Sequence, residues 1–460
     1  MRDRYDVVVV GAGPLGLASA LHLAESDRDR SILVVEARAG PGEGSMGASN
    51  SMVRDVFSSR DNQLLARSSI AFYRRWMEED ERLRSPVPLL DLHGYLWLLP
   101  ESLREEYSGY LRRGGAALDA HLVPLEELKD CPGLEVAPKR WYEGDGAPPP
   151  EPIAVGLFGR TCGALAPELL AQAYRERCGA LGVEFLFNAV VRRLSFEGRE
   201  EILLHEPSMA PFAFQEHVPG RLRISQVHFG DGRTVRTDRV VVAGGAWSEK
   251  ILGPLGVATA CSPRAQTTYS VVGPAVDELL AWQPRVDAID RPGGRSRCPF
   301  LILPSGATLK PVFRQSQVWL GSADTVAHPI GTEEDPARDG QLDFDMARLG
   351  SREGYATDML PAVTPYLPRF ETNAARLENT WGGYYNFSPD GIPVLTEEPY
   401  GVLFVGGDSG SGIMKADALG RLVAARCAGE REARLFTGER YAVDRLSLLH
   451  RSVEEERIIL

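Results

Sequence analysis

The chain has 460 residues, of which 43% are hydrophobic and 25% are charged. These are the proportions of a soluble globular protein with a full core, so the disordered and low-complexity classes are excluded. The length favours two or three domains. The 51 Lys and Arg residues against 63 Asp and Glu give a net charge of −12, which argues against nucleic-acid binding because such binding rests on the neutralisation of phosphates.

Neither cysteine nor histidine spacing predicts a metal site. The six cysteines show no C-x-x-C pair and the eight histidines never form H-x-x-x-H, so we expect no zinc, iron–sulfur or other metal site. Scattered thiols are typical of a reducing compartment, and we expect a cytoplasmic protein. The apolar stretch 7–24 contains three glycines and Pro14. It favours a strand, a turn and a helix over a membrane span, with no leader before it.

The first forty residues predict a dinucleotide-binding unit. A β-branched run at 5–10 leads into a G-x-G-x-x-G motif at 11–16, and a helix-like segment at 17–24 follows. A second strand-like run at 32–35 ends at Glu36. The strand, glycines, helix, strand and acid all stand in the register of a Rossmann-type unit.

Each part of this unit has a physical task. Gly11 permits a tight turn, and Gly13 lets the backbone approach a pyrophosphate that lies at the N-terminus of the helix. Gly16 lets the helix pack closely on the strand. Glu36 is expected to accept hydrogen bonds from both ribose hydroxyls, and its charge disfavours the 2′-phosphate of NADP.

The residues after Glu36 favour FAD over NAD. The stretch 42–54 is rich in glycine and serine, as in a loop that wraps around a cofactor. A strand-like run at 239–243 continues into the glycines at 244–248, and another at 402–405 continues into a glycine-rich loop at 406–415. Such distant signals are expected when a dinucleotide domain is assembled from separated pieces of chain.

These motifs together resemble the D-amino-acid oxidase superfamily of FAD-dependent oxidoreductases, and within it the sarcosine oxidase and sarcosine/dimethylglycine dehydrogenase types. The resemblance rests on 7–16 with Glu36, on 44–54, on 244–248, on the S-P-D-G-I-P at 388–393 and on 407–420. It implies an α/β fold with a Rossmann-like FAD-binding domain. The cofactor-binding residues that follow from the motifs and the resemblance are Gly11, Gly13, Pro14, Leu15, Gly16, Glu36, Ala37, Arg38, Gly44, Ser45, Ala48, Ser49, Val190, Gly244, Gly245, Trp247, Gly407, Ser409, Gly410, Ser411, Gly412, Ile413 and Met414.

The resemblance also implies a division of the chain. The FAD-binding domain would consist of residues 1–88, 149–258 and 378–440. Residues 89–148 and 259–377 would form an interleaved substrate domain around a mainly antiparallel sheet, and residues 441–460 would form a helical tail. The stretch 205–220, with its prolines and no clear period, is expected to be a surface insertion.

The implied activity is the oxidation of a C–N bond in an amino acid or an N-alkylamino acid. Hydride would pass to the N5 atom of the flavin, and the reduced FAD would be reoxidised by oxygen, a quinone or a protein carrier. Relatives with covalent flavin carry a cysteine where Gly383 stands, or a histidine in an early loop where Met46, Gly47 and Ala48 stand. These departures imply non-covalent FAD.

Four residues are the catalytic candidates. At the matching spacing, an arginine of sarcosine oxidase-like proteins holds the substrate carboxylate, which assigns that role to Arg54. Lys310 matches a lysine that faces the flavin and assists the reaction with oxygen. Lys415 lies beside the position of a second carboxylate-binding lysine, although the register places Met414 there. Tyr385, with its neighbour Tyr384, is a candidate for the wall of the pocket.

Two other functions stay open. Residues 381–385 and 62–64 are similar to a mitochondrial complex I assembly factor of the same superfamily, which favours a flavin-containing scaffold without turnover. A 2-hydroxy acid or glycerol phosphate dehydrogenase would share the fold and differ in the pocket. A homo-oligomer is compatible with the sequence.

Overall fold

The computed structural model describes residues 2–115, 118–139, 149–197, 223–257, 259–284, 297–322, 328–329, 354–371, 374–398 and 401–458. The predicted insertion at 205–220 lies outside these residues. Two large sheets organise the described chain: one has six strands and is mostly parallel, and the other has nine strands and is mostly antiparallel.

Among the described helices, proline occupies the first turn of four α-helices, where its missing N–H removes no hydrogen bond. The α-helices are α1 (Pro14–Ser26), α2 (Ser45–Ala48), α3 (Arg60–Glu79), α4 (Glu101–Gly114), α5 (Leu125–Leu128), α6 (Pro167–Ala180), α7 (Ser248–Leu252), α8 (Pro274–Leu280), α9 (Leu360–Val363) and α10 (Ala416–Cys427).

The strands run through the whole described chain. They are β1 (Arg4–Tyr5), β2 (Val7–Val10), β3 (Ile32–Val35), β4 (Met52–Val53), β5 (Leu90–Asp91), β6 (Tyr95–Leu99), β7 (Ala120–Pro124), β8 (Val155–Gly159), β9 (Gly163–Leu165), β10 (Glu184–Leu186), β11 (Val191–Glu197), β12 (Arg223–Phe229), β13 (Thr234–Thr237), β14 (Val240–Val242), β15 (Ser262–Val272), β16 (Phe300–Ile302), β17 (Ala307–Val312), β18 (Gln317–Ser322), β19 (His328–Pro329), β20 (Arg376–Phe387), β21 (Val394–Glu398), β22 (Val402–Gly406), β23 (Glu432–Arg434) and β24 (Arg440–Ala442).

The six-stranded sheet has the order β10-β3-β2-β14-β22-β21. All its pairs are parallel except that between β21 and β22. Val7 and Val9 pack into a core with α1, α3, α6 and α10, whereas Val8 and Val10 pack against the sheet β1-β13-β12-β11. Because both faces are covered, the central strands are continuous apolar runs, and their carboxyl ends meet at one edge.

The nine-stranded sheet has the order β19-β15-β18-β17-β16-β6-β8-β7, with β20 paired to β15. Strand β20 extends from Arg376, opposite Val272, to Phe387, opposite Ser262. Phe387 then forms a bridge with Asp408, which follows β22 of the six-stranded sheet. This strand therefore connects the nine-stranded sheet to the edge of the parallel sheet.

The predicted division of the chain differs from the described structure in several places. Strand β8, predicted in the first domain, pairs with β6 and β7 of the large sheet, and β20 pairs with β15. The predicted helical tail is wrong: Val443–Leu446 form a 3₁₀ turn, and residues 447–458 have no helix. That segment is instead held by side chains that it contacts, described below.

Candidate functional site

A cavity of about 450 Å³ lies at the carboxyl edge of the parallel sheet. Its wall takes residues from the ends of β2, β3, β14 and the loop after β22. Helix α2 and the last residues of β20, Tyr384 to Asn386, complete the wall. Ligands of open parallel sheets bind at this edge, outside the carboxyl ends of the strands.

The glycines of the first motif shape one end of the cavity. Gly11 has a φ of +104°, and a Cβ there would come within 2.5 Å of the Ala243 carbonyl oxygen. A Cβ on Gly16 would collide with the Gly11 carbonyl oxygen, so only glycine permits this approach of helix and turn. Helix α1 follows Gly13 with no side-chain cap, which leaves its first N–H groups for a ligand.

The cavity is also kept open by the absence of side chains. Gly13, Gly44 and Gly245 all line it, and a Cβ on any of them would meet nothing within 4 Å. A side chain at any of these positions would extend into the cavity, so glycine leaves that space for a bound group. The residues present therefore fit a ligand whose chain lies against the backbone, as a dinucleotide does.

Glu36 lies at the end of β3 and lines the cavity. Its Oε2 accepts a hydrogen bond from the Ala12 N–H (2.8 Å), and its Oε1 accepts one from the Arg38 N–H (2.9 Å). These bonds fix the carboxylate, and its remaining lone pairs can accept bonds from ribose hydroxyls. Ala189 and Val190 form an adjacent apolar wall, because the Ala189 N–H donates to the Glu36 carbonyl oxygen (2.9 Å).

The turn after β14 joins the cavity to β20. The indole of Trp247 lies edge-on to the Tyr384 ring, with 5.7 Å between the ring centroids. The Asn386 side chain donates to the Gly245 carbonyl oxygen (3.2 Å). These contacts set the position of Tyr384 and of Tyr385, which both line the cavity.

The loop after β22 closes the opposite wall. Gly407 and Gly410 have φ angles of +61° and +78°, and Ser409 has a φ of +51°. The Ser409 Oγ accepts a hydrogen bond from the Ser388 N–H (3.2 Å), which joins this loop to the S-P-D-G motif. Asp408 lines the cavity beside Gly410 and Gly412.

Arg54 is almost completely buried, with 2% of its surface exposed, and it does not belong to the cavity lining. Its Nη1 donates to the Val56 carbonyl oxygen (3.2 Å) and its Nη2 to that of Ile458 (3.3 Å). Its guanidinium lies 4.2 Å from the centroid of the Phe57 ring. Its Nε has no hydrogen-bond partner among the described residues.

Lys310 lies on β17 beneath the loop that follows α2. Its Nζ donates to the Asn50 carbonyl oxygen and lies 4.4 Å from the centroid of the Trp319 ring. Burial lowers the pKa of Lys310 to about 7, and the charge of Glu168 opposes this shift. Lys310 thus contacts Asn50, the residue that follows Ser49 of the cavity wall.

Lys415 and Met414 lie behind the cavity wall. The Lys415 Nζ donates to the Asn62 Oδ1 (2.6 Å) and the Ser411 Oγ (2.5 Å), and the side chain is fully buried. The Met414 Sδ accepts a hydrogen bond from the Arg54 N–H (3.4 Å). Lys415 therefore supports the loop, and Met414 supports the backbone of Arg54.

The predicted site residues thus fall into two groups. Those that the structure places on the cavity lining are Gly11, Gly13, Pro14, Leu15, Glu36, Ala37, Arg38, Gly44, Ser45, Ser49, Val190, Gly244, Gly245, Trp247, Tyr385, Gly410, Gly412 and Ile413. Those outside the lining are Gly16, Ala48, Arg54, Lys310, Gly407, Ser409, Ser411, Met414 and Lys415.

Sequence reasoning did not select several lining residues. Arg192, Lys250, Asn386 and Asp408 all line the cavity, whereas Tyr384 was already a candidate for the pocket wall. Asp408 stands inside the glycine-rich loop at 406–415 that was recognised, so its place in that motif was a usable signal. Arg192 and Lys250 lie beyond the ends of the recognised runs and carried no such signal.

Within the described ranges, no cluster of three or more His, Cys, Asp or Glu side chains is arranged to hold a metal ion. Over the same residues, no helix has the length and apolar character needed to cross a membrane.

Comparison with known proteins assigns the family. The family model described as "DAO: FAD dependent oxidoreductase" matches residues 6–426. The chain is 26% identical over 443 residues to FAD-dependent oxidoreductase domain-containing protein 1 of Bos taurus, across 92% of this chain and 81% of that protein. It is 23% identical over 436 residues to the glycine oxidase of Bacillus subtilis, across 92% and 93% of the two chains. The crystal structure of L-proline dehydrogenase from P. horikoshii has a TM-score of 0.66 at 20% identity, covering 94% of this chain and 95% of that one. The chain is therefore a member of the DAO family of FAD-dependent oxidoreductases.

Proposed function

We propose that the protein oxidises the C–N bond of an amino acid or an N-alkylamino acid. The observation that carries the proposal is Arg54, a buried guanidinium whose hydrogen-bond acceptors among the described residues are both neutral carbonyl oxygens. A buried cation is costly without an anionic partner, so the substrate carboxylate is assigned to Arg54. The names of glycine oxidase, at 23% identity, and of L-proline dehydrogenase, which shares the fold, support amino-acid substrates.

The cavity residues divide the binding of FAD among them. The turn at Gly11 and Gly13 and the first amides of α1 would hold the pyrophosphate, and Glu36 would hold a ribose. The loop at Gly410 and Gly412 and the ring of Tyr385 would border the flavin. When it is bound, FAD supplies a ring that accepts a hydride from the carbon next to the substrate nitrogen.

The surroundings of Arg54 suit a small carboxylate. Phe57 and Trp97 flank the guanidinium, with ring centroids 4.2 and 5.9 Å away. The ring centroid of Tyr95 lies 5.3 Å from that of Trp97. Burial raises the pKa of Tyr95, and the nearby guanidinium of Arg54 acts in the opposite direction. Arg54 would fix the carboxylate at this apolar wall, so that the reacting C–H bond has one orientation toward the cavity.

Lys310 is the residue on which the choice of electron acceptor rests. Its ammonium touches the loop that carries Ser49, and its lowered pKa lets it exchange a proton near neutral pH. In this proposal it supplies positive charge and a proton where oxygen is reduced.

The test is anaerobic titration of the FAD-loaded protein with sarcosine, L-proline, D- and L-amino acids and 2-hydroxy acids, followed by flavin absorbance. Loss of the oxidised flavin band with an amine supports the proposal, and readmission of air then identifies oxygen as an acceptor. Loss with 2-hydroxy acids alone would assign C–O oxidation instead. FAD that no candidate reduces would favour the scaffold function.

A further inference from the structure

One acidic group on the cavity wall has no part in the proposed chemistry. Asp408 follows β22 and is half-buried, and its side chain lines the cavity. The backbone N–H groups of Gly410 and Gly412 lie close enough to its carboxylate to act on the pKa of Asp408, which burial raises and these amides lower. A Cβ on Gly412 would collide with the Asp408 Oδ2, so the carboxylate lies directly against the loop.

The loop would otherwise present these amides to the cavity. It leads through a 3₁₀ turn at Ile413–Lys415 into helix α10, and backbone amides at such a position favour a nearby anion. Here two of them already hold a carboxylate of the chain itself. The wall at this point therefore offers a negative charge instead of unpaired N–H donors.

The groups around Asp408 do not completely neutralise the negative charge that its carboxylate places on the cavity wall. From α10, Lys415 attracts the carboxylate, but its Nζ is also bonded to Asn62 and Ser411. From the segment before β15, the Cys261 thiol lies close enough for the charge of Asp408 to raise its pKa, after a larger contribution from burial. From β20, the contact is the backbone bridge at Phe387, which carries no charge.

We propose that Asp408 tunes the electron affinity of the bound flavin: it withdraws the Gly410 and Gly412 amides from the ring and, as a carboxylate, makes the flavin harder to reduce. A negative charge near a group that gains electrons opposes that gain. The inference depends on FAD binding, which the family assigns, and not on the identity of the substrate.

The same geometry makes the effect dependent on pH. Burial raises the pKa of Asp408 to about 6, although Lys415 and the two amides act in the opposite direction. The group is therefore charged at about pH 8 and mostly neutral at about pH 5. At the lower pH the carboxyl group no longer adds a negative charge.

The experiment compares the two-electron midpoint potential of FAD in the wild-type holoenzyme and in Asp408→Asn, by spectroelectrochemical titration at about pH 8 and about pH 5. At the higher pH we expect reduction of the variant to be favoured roughly tenfold, which corresponds to a midpoint potential about 30 mV higher. At the lower pH the two proteins should agree within about twofold. Because the comparison is a difference at each pH, proton uptake by the flavin itself cancels.

The matched control is Asp55→Asn. Burial also raises the pKa of Asp55, to about 7, but Asp55 is outside the cavity lining. Its substitution should change the equilibrium constant for flavin reduction by less than about threefold. An unchanged potential in Asp408→Asn at pH 8, the same shift at both pH values, or an equal shift in Asp55→Asn would overturn the proposal. If Asp408→Asn does not retain FAD, Asp408→Ser is measured. Loss of FAD from both would also overturn it, because a group that only tunes the potential is not needed for binding.

Discussion

The Nη2 of Arg54 donates a hydrogen bond to the carbonyl oxygen of Ile458, 3.3 Å away. This contact joins the candidate substrate anchor to the last described residue of the chain. Ile458 is buried in the same apolar cluster as Tyr95 and Trp97. The C-terminal segment therefore occupies space beside Arg54 and accepts a hydrogen bond from one of its guanidinium donors.

Replacement of Arg54 should affect only substrates that carry a carboxylate. Arg54→Lys keeps the charge but loses the planar pair of donors, so we expect the dissociation constant of sarcosine to rise roughly tenfold to a hundredfold. The constant for methylamine, which has no carboxylate, should change little. Both are measured from the perturbation of flavin absorbance, with the exposed Arg457→Lys as control. Equal weakening of both ligands would refute the assigned role.

Glu456 should fix the position of the C-terminal segment. Its Oε1 accepts hydrogen bonds from the Ser58 N–H and Oγ (both 2.8 Å), and its Oε2 accepts one from the Asn62 side chain (3.0 Å). Removal of a carboxylate that accepts several bonds costs roughly 2 kcal/mol. We expect Glu456→Ala to lower the free energy of unfolding in urea by about that amount. The neighbouring exposed Glu455→Ala is the control, and an equal loss there would show that the contacts of Glu456 contribute nothing.

Lys310 gives a pH-dependent prediction for the reaction with oxygen. Because burial lowers its pKa to about 7, the side chain is charged below that pH and becomes neutral above it. If the ammonium assists oxygen reduction, reoxidation of the photoreduced protein should slow at least roughly fivefold between about pH 6 and pH 9.

Stopped-flow absorbance of the flavin measures this rate. Lys310→Met should be slow at every pH, whereas the exposed Lys129→Met should keep the wild-type profile. A wild-type rate that is flat with pH, or a Lys310→Met rate that equals it, would argue against a role in oxygen reduction.

The sequence was sufficient for the local parts of the fold. The apolar runs that became β2, β3, β14 and β22 were recognisable because strands buried on both faces need continuous Val, Leu and Ile. Gly16 was correctly assigned to close packing because the motif fixes its neighbour, Gly11. Each of these predictions depended only on residues that are close together in the sequence.

The sequence did not predict the contacts between segments that are far apart in the chain. The placement of β8 and β20 in the large sheet depends on pairing with strands far away in the chain, which composition does not specify. The C-terminal segment is held by Glu456 and Arg451 through bonds to Ser58 and Asp390, and a run of charged residues looks the same in a solvated helix. The sequence did not single out Asp408, because its proposed role depends on its contact with the backbone of Gly410 and Gly412.

His22 predicts a pH-dependent part of the stability. Its Nε2 lies 2.7 Å from the Asp417 Oδ1 and its Nδ1 lies 3.1 Å from the Glu25 Oε2, between α1 and α10. Burial acts to lower the pKa of His22, but the two carboxylates outweigh it and raise the pKa. The ion pairs therefore stabilise the fold fully below the unfolded pKa of about 6.5, and this stabilisation is lost as the pH rises through the higher folded pKa.

We expect His22→Gln to lower the free energy of unfolding by roughly 3 kcal/mol at about pH 6, and by clearly less at about pH 9. Urea unfolding of both proteins at the two pH values measures the difference. His121→Gln is an informative control because burial and Arg160 lower the pKa of His121, so its effect should not shrink at high pH. A loss in His22→Gln that is independent of pH would mean that the histidine is neutral in the fold.

Substitution of Gly13 should weaken the binding of the cofactor without impairing the folding of the protein. A Cβ on Gly13 would meet no atom of the protein within 4 Å, and Gly13 lines the cavity, so the added methyl group occupies space that is available to the pyrophosphate. Its φ of −76° is ordinary for an L-residue, so the backbone permits alanine. Gly13→Ala should thus keep the stability of the apoprotein within about 1 kcal/mol, while the dissociation constant of FAD rises at least roughly tenfold.

Thermal unfolding of the apoprotein and the quenching of FAD fluorescence on titration measure the two quantities. Gly179→Ala is the matched control, since Gly179 also has nothing within 4 Å of an added Cβ but lies in α6, outside the cavity lining, and FAD should bind it as it binds the wild type. Equal FAD affinity in Gly13→Ala and the wild type would mean that the cofactor backbone does not approach this turn.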